Sequence, residues 1–154
     1  MLTAEEKNEI AAEFSRYEQK RAVGVEALQI VQRHRGWISD DTLIDIADFL
    51  EMTPAELDAV ATFYNLIFRK PAGKHIVLVC DSVSCWIMGY DRILQHLQNR
   101  LGVALGGTSA DGVFTLLPIV CLGVCDRAPA MMIDDRLYGN LNPAKIDQIL
   151  ATYA

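Results

Sequence analysis

The sequence predicts an α+β protein: a small N-terminal helical bundle over residues 1–70, followed by an α/β domain over residues 71–154. Three observations lead there. Up to residue 70, apolar side chains recur at helical spacing between capping signals, whereas His75-Ile-Val-Leu-Val79 is an unbroken apolar, β-branched run. Pro71-Ala72-Gly73 between them is a linker signal. The reactive residues are also segregated, with every Glu in the first 56 residues and every Cys after residue 79.

In the helical half, Thr3 and Glu6 form a capping-box pattern ahead of Ile10, Ala11, Phe14 and Tyr17. A second helix is expected from Val23, with Val23, Ala27, Ile30 and His34 on one face and Gly36 as its stop. Ser39 caps a third, whose apolar face reads Leu43, Ile44, Ala47 and Leu50. Thr53-Pro54-Ala55-Glu56 joins an N-cap, a first-turn proline and a capping-box Glu, ahead of Leu57, Val60, Ala61 and Tyr64. Helices this short need neighbours, so a four-helix unit follows. His34 and Trp37 read as structural, and Asp40-Asp41 as charge at a helix N-terminus. Phe63, Tyr64, Phe68, Arg69 and Lys70, at the end of this unit, read as interdomain packing residues, with a partner contact as the alternative.

In the second half, the His75–Val79 run fits a strand buried on both faces and ends at Cys80. A helix is expected over Tyr90–Leu101, with Ile93, Leu94, Leu97 and Leu101 inward and Gly102 as terminator. Val113–Val120 is a second strand, interrupted by Pro118, that runs into Cys121. Ala130–Ile133 and Arg136–Tyr138 form a hairpin around Asp134-Asp135, and Asn142-Pro143 opens a last helix with Ile146, Ile149, Leu150 and Tyr153 on one face. The order β-α-β-β-β-α fits a small α/β sheet layer better than a bundle or a barrel.

The composition excludes several function classes. With 51% hydrophobic and 22% charged residues and a mean hydropathy of +0.17, the chain is neither disordered nor low in complexity. No apolar run reaches membrane-spanning length, and the N-terminus lacks a basic-then-apolar signal, so a reducing compartment is expected, without direct membrane insertion. A net charge of −6 argues against nucleic acid. Most of that charge sits in residues 1–70, which carry 13 acidic and 8 basic side chains. Leu105-Gly-Gly-Thr108 lacks the spacing and context of a phosphate-binding turn and reads as a plain loop.

The informative residues are the four cysteines. Cys80-Asp-Ser-Val-Ser-Cys85 and Cys121-Leu-Gly-Val-Cys125 each leave the end of an expected strand and sit in a turn. Four thiolates around one point repel one another unless cations neutralise them. The spacings leave three readings open: a structural zinc site, a thiol–disulfide centre, which would rather use C-x-x-C, and a [2Fe-2S] cluster spread over two irons. The flanking residues favour the cluster. Val83, Trp86, Ile87, Leu122 and Val124 are apolar and suited to shielding it, and Ser82, Ser84 and Gly123 offer donors to sulfur. Asp81 and Asp126 read as turn caps, and Arg127 as either a charge beside the site or a solvated loop residue.

These cysteine motifs, with Thr115-Leu-Leu-Pro118, Asp126-Arg-Ala-Pro129 and Met131-Met-Ile-Asp134, resemble the thioredoxin-like [2Fe-2S] ferredoxin family, which includes the NuoE-type subunit of bacterial respiratory complex I (NADH-quinone oxidoreductase). Gly36-Trp-Ile-Ser39 and Val60-Ala-Thr-Phe-Tyr64 are similar to that family's helical N-terminal region. The resemblance implies a thioredoxin-like second domain and one [2Fe-2S] cluster held by Cys80, Cys85, Cys121 and Cys125. It implies an electron-transfer subunit, not catalytic alone, that takes single electrons from the FMN of an NADH-oxidising, NuoF-like flavoprotein. FMN and NADH would then sit on that partner, and a further iron–sulfur subunit is expected. The location implied is cytoplasmic, in the peripheral arm of a membrane-associated complex. An equivalent subunit of an NAD-linked hydrogenase or formate dehydrogenase is the alternative; a zinc-stabilised interaction module and a free-standing ferredoxin are the other readings.

Overall fold

Thr3 starts the first helix as its capping-box pattern demands. In the computed structural model, which describes residues 1–153, its hydroxyl accepts the Glu6 N–H at 3.1 Å while the Glu6 carboxylate accepts the Thr3 N–H at 2.7 Å. Helix α1 (Ala4–Glu13) stops before Phe14, where a 3₁₀ turn (Phe14–Arg16) takes over. Tyr17 therefore lies beyond the helix, and Ala11 faces solvent; the buried positions of α1 are Glu6 and Ile10.

A 3₁₀ turn at Lys20–Val23 leads into α2 (Gly24–Arg35), which Gly36 ends at φ +82°. Ser39 caps α3 (Asp40–Phe49) by accepting the Thr42 N–H. The buried face of α3 is Leu43, Ile46 and Ala47, continuing to Leu50, because Ile46 and Leu50 fall four residues apart. Ile44, expected inward, is 44% exposed. Thr53 and Glu56 close a second capping box at the start of α4 (Pro54–Phe63), whose Leu57 and Ala61 are buried. These faces converge on one core that includes Ile10, Leu28, Ile38, Ile46 and Leu57. Arg69 is engaged within this unit, with Asp40 at 2.6 Å and Asp58 at 3.0 Å, while Phe63 and Tyr64 stack edge to face on an exposed surface.

The chain divides into two compact units, Met1–Pro71 and Ala72–Ala154. The second is built on a four-stranded sheet of order β2-β1-β3-β4. Strands β1 (His75–Cys80) and β2 (Phe114–Ile119) are parallel; β3 (Met131–Ile133) and β4 (Arg136–Tyr138) form an antiparallel hairpin beside β1. Between β1 and β2 lie α5 (Val83–Ile87) and α6 (Tyr90–Leu101); α7 (Pro143–Leu150) follows the hairpin. Alternate strand residues Val77, Val79, Phe114, Leu116, Met131 and Ile133 share a core with Ile93 and Leu97 of α6 and Ile146, Ile149 and Leu150 of α7. This is the mixed α+β architecture expected.

Two details differ from expectation. Pro118 does not interrupt β2, because β2 is an edge strand and tolerates a residue without an N–H. The glycine-rich segment is more than a plain loop. Gly106 N–H donates to the Leu116 carbonyl at 2.7 Å, Leu116 N–H to Gly107 at 3.0 Å and Ser109 N–H to Phe114 at 2.8 Å. The segment thus covers the open edge of β2, which would otherwise present free backbone groups.

Candidate metal centre

Strand β1 delivers Cys80 at its C-terminal end. The parallel register sets Cys80 opposite Ile119, and the Asp81 N–H donates to the Ile119 carbonyl at 3.0 Å. Cys121 follows two residues later. Strand pairing therefore roots both cysteine pairs at the C-terminal ends of neighbouring parallel strands, the place where open α/β sheets put their ligands.

Cys85 sits in α5 rather than in the expected turn. Ser82 takes an extended N-cap conformation, and its carbonyl accepts the Trp86 N–H at 2.8 Å. The resulting helical winding buries Cys85 and turns positions 83, 86 and 87 to the opposite side. Val83, Trp86, Ile87 and the adjoining Met88 are 66%, 61%, 70% and 60% exposed. The first three were expected to shield the site; they form an apolar surface beside it instead.

The second pair lies in a loop. Gly123 adopts φ +74°, a conformation that costs an L-residue with a side chain about 1–2 kcal/mol. The turn aims its N–H at Cys121 Sγ, 3.2 Å away. Cys125 opens a 3₁₀ turn (Cys125–Arg127) that returns through the Ala128–Pro129 bond, which is cis, to β3. Leu122 and Val124 pack with Ile119 against a small cluster of Cys80, Cys85, Ala128 and Ala130, as suits shielding residues.

All four thiols are free; Cys80 and Cys85 are buried, whereas Cys121 and Cys125 are exposed. The Cys85 thiol is pushed up to about 11, first by burial and then by its hydrogen bond with Cys80, against a lowering bond from the Ala130 backbone. The charges of Cys80 and Cys125 push in the same upward direction. Ionisation of the Cys85 sulfur is therefore favoured only with a cation beside it. Among the described residues, no group of three or more His, Cys, Asp or Glu side chains is gathered about one metal-ion position. Asp81 and Asp126 are exposed, and Arg127, half exposed, faces Asp126 at 4.0 Å.

Free thiols paired at the ends of parallel strands, with apolar packing behind them and a backbone donor to Cys121, fit a cysteine-ligated metal protein on an α+β frame. Residues 10–154 match the thioredoxin-like [2Fe-2S] ferredoxin family, and the chain belongs to it. It is 45% identical over 153 residues to the E subunit of NADH-quinone oxidoreductase from Pseudomonas aeruginosa, covering 99% of this chain and 92% of that protein. Against the corresponding protein of Escherichia coli (strain K12), identity is 45% over 152 residues, with the same coverage of 99% and 92%. Among solved structures, the chain is similar to an NAD+-reducing [NiFe]-hydrogenase in the H2-reduced state, with a TM-score of 0.70 and 25% identity over 82% of this chain. It spans about a fifth of that hydrogenase chain, 22%.

Proposed function

We propose that this chain is the [2Fe-2S] electron-transfer subunit of an NADH-oxidising complex, working as the NuoE-type subunit of an NADH-quinone oxidoreductase. The observation that carries the reading is the placement of two cysteine pairs at the ends of adjacent parallel strands. Cys80, Cys85, Cys121 and Cys125 would hold the cluster, each as a thiolate. When bound, the cluster supplies one-electron transfer, the complement to a partner flavoprotein whose FMN takes two electrons from NADH.

The protein's own residues supply the rest. The Gly123 N–H donates to Cys121 Sγ, which stabilises added negative charge there. Leu122, Val124 and Ile119 exclude water on the inner side. The outward Val83, Trp86, Ile87 and Met88, with Val120 at 77% exposure, offer an apolar surface next to the cysteines for a NuoF-like flavoprotein to cover. A further iron–sulfur subunit belongs to the same assembly. Among the described residues no helix is long and apolar enough to cross a membrane, which suits a place in the peripheral arm.

A second reading, the equivalent subunit of an NAD-linked hydrogenase, draws on the structural likeness. Near-full-length identity to two NADH-quinone oxidoreductase proteins favours the first. Anaerobically purified chain is expected to contain iron and acid-labile sulfide in equal amounts and to show visible absorption that Cys80→Ala removes. A colourless protein with zinc, or an unchanged spectrum and iron content in Cys80→Ala, would overturn the ligand assignment. Co-purification with an NADH-oxidising flavoprotein rather than with a hydrogenase separates the two complexes.

A further inference from the structure

The loop that carries Cys125 does not hold itself. Its 3₁₀ turn is closed by two bonds of its own, Arg127 N–H to the Val124 carbonyl at 2.9 Å and Ala128 N–H to the Cys125 carbonyl at 3.3 Å. From outside, the segment just after β4 is fastened to it. The Asn140 N–H donates to the Arg127 carbonyl at 2.5 Å, and the Leu141 N–H to the Pro129 carbonyl at 3.1 Å. Gly139 lies flat against the turn: a Cβ there would stand 2.6 Å from Arg127 Cβ and 2.7 Å from the Arg127 carbonyl oxygen. Neither is the free end of a flexible side chain, so a larger residue must push the turn away. The segment is fixed on its other side too. Lys145, in the first turn of α7, donates from Nζ to the Gly139 carbonyl at 2.6 Å. A run of short bonds thus connects α7, through Gly139–Leu141, to the residue two places beyond Cys125.

We infer that Gly139 is a positioning residue for the fourth cysteine: its missing side chain lets the β4–α7 segment clamp the Cys125–Arg127 turn and set where Cys125 Sγ stands. The inference rests on the proposed role of Cys125 as a cluster ligand. Cys125 is exposed and lies in a three-residue 3₁₀ turn, whereas Cys80 and Cys85 are buried. Its position therefore depends more on an outside support than those of Cys80 and Cys85, and the atoms nearest a Cβ at Gly139 belong to Arg127.

The test uses a matched control within the same unit. Gly73 is as tightly placed, with a Cβ there 2.7 Å from the Phe114 backbone, but it lies against β2 at the strand end remote from the cysteines. Full-length chain is purified anaerobically as the wild type, Gly139→Ala, Gly73→Ala and Lys145→Met. Each is assayed for thermal stability, for the rate of iron loss to a chelator, and for the EPR spectrum of the reduced protein. Gly139→Ala is expected to lose iron about tenfold faster than wild type and to show shifted g-values, the usual scale for a lost support of a metal ligand. Lys145→Met should shift both readouts in the same direction by less. Gly73→Ala should lower thermal stability but keep the wild-type spectrum and iron-loss rate.

The proposal is overturned if Gly139→Ala keeps the wild-type spectrum and rate, or if Gly73→Ala perturbs both equally, since the effect is then one of general destabilisation. Should Gly139→Ala fail to fold, Lys145→Met decides, and wild-type behaviour there overturns the clamp. A wild-type protein without iron and sulfide refutes the cluster reading, a failure distinct from any variant's.

Discussion

Glu6 is the buried charged side chain of the helical unit, only 1% exposed, and replacing it with Gln tests how that unit is held together. Its carboxylate accepts Arg35 Nε at 2.6 Å and Nη2 at 2.7 Å, together with the Thr3 N–H at 2.7 Å. Arg35 also donates to Thr42 Oγ1 at 3.1 Å and to the Met1 carbonyl at 3.2 Å. The Arg35 bonds, helped by Thr3, overcome burial and hold the Glu6 carboxyl down to about 2, against an ordinary 4.5. Glu6→Gln keeps the shape and a capping-box side chain but leaves the Arg35 charge without its partner. A drop from 4.5 to about 2, at about 1.36 kcal/mol per unit, corresponds to about 3 kcal/mol. Breaking a buried pair costs about 3–5 kcal/mol, and the 28% exposure of Arg35 places this one at the lower end.

Urea unfolding at pH 7, followed by circular dichroism, should therefore show Glu6→Gln to be destabilised by about 2–3 kcal/mol. Adding Arg35→Met to Glu6→Gln should cost less than the sum of the two single changes, because the second then removes an already unpaired charge. The pH dependence has a definite sign. The folded-state value is depressed, so the stabilisation is fully present above about pH 4.5 and fades as pH falls toward about 2. The gap between wild type and variant stays flat from neutral pH down to about 5 and closes below it. A gap under about 0.5 kcal/mol at pH 7, the size of an ordinary surface change, or one that widens on acidification, would refute the reasoning.

Other perturbations give equally direct readings. Gly123→Ala should destabilise the protein in urea by about 1–2 kcal/mol because of its positive φ, with Gly123→Asn costing less. Open space around the Gly123 Cβ position makes backbone strain, not a clash, the cause, so a larger loss than this would point elsewhere. Trp86→Ala, at a position 61% exposed, should change stability by less than about 0.5 kcal/mol. In a pull-down titration it should weaken association with the partner flavoprotein by about tenfold or more; unchanged binding would remove α5 from the docking surface. Thr53→Ala removes the hydroxyl that caps α4 and should cost about 1 kcal/mol in a thermal melt. The same change removes one of the bonds that, with the Thr53 backbone N–H and Arg21, hold the Glu56 carboxyl down to about 2, so an NMR titration should show it partly raised.

What was legible in the chain were the features written as side-chain patterns. Thr3 with Glu6, Ser39 and Thr53 with Glu56 start helices where their hydroxyls can accept backbone N–H groups. His75–Val79 made a central strand because its β-branched residues have two faces to bury, and Tyr90–Leu101 is helical over the range expected. Features that depend on tertiary partners were not legible. Ile44 and Ile46 differ by two residues on a helix, and which of them faces inward depends on the placement of α2 and α4. Pro118 looks like a break until β2 is known to be an edge strand. The cysteine spacings did not disclose that Cys85 rides on a helix or that the Cys125 turn lies against Gly139. The latter is a backbone relation, for which glycine gives only a weak signal.

The two cysteine pairs are unequally buried. Cys80 and Cys85 have protein on their side: β1, Ala128, Ala130 and the packed Ile119. Cys121 and Cys125 have solvent on theirs. A low-dielectric surrounding strengthens the Gly123 donor to Cys121 Sγ, but around an exposed sulfur it arises only when another surface expels water. The apolar residues positioned to meet such a surface, Val83, Trp86, Ile87, Met88 and Val120, flank the cysteines in sequence and are left uncovered by this chain. A freely diffusing carrier gains nothing from so large an exposed apolar area beside its redox centre and risks association through it. If this chain is the docked subunit proposed above, such an area has a use, because a partner that covers it shields the apolar residues from water.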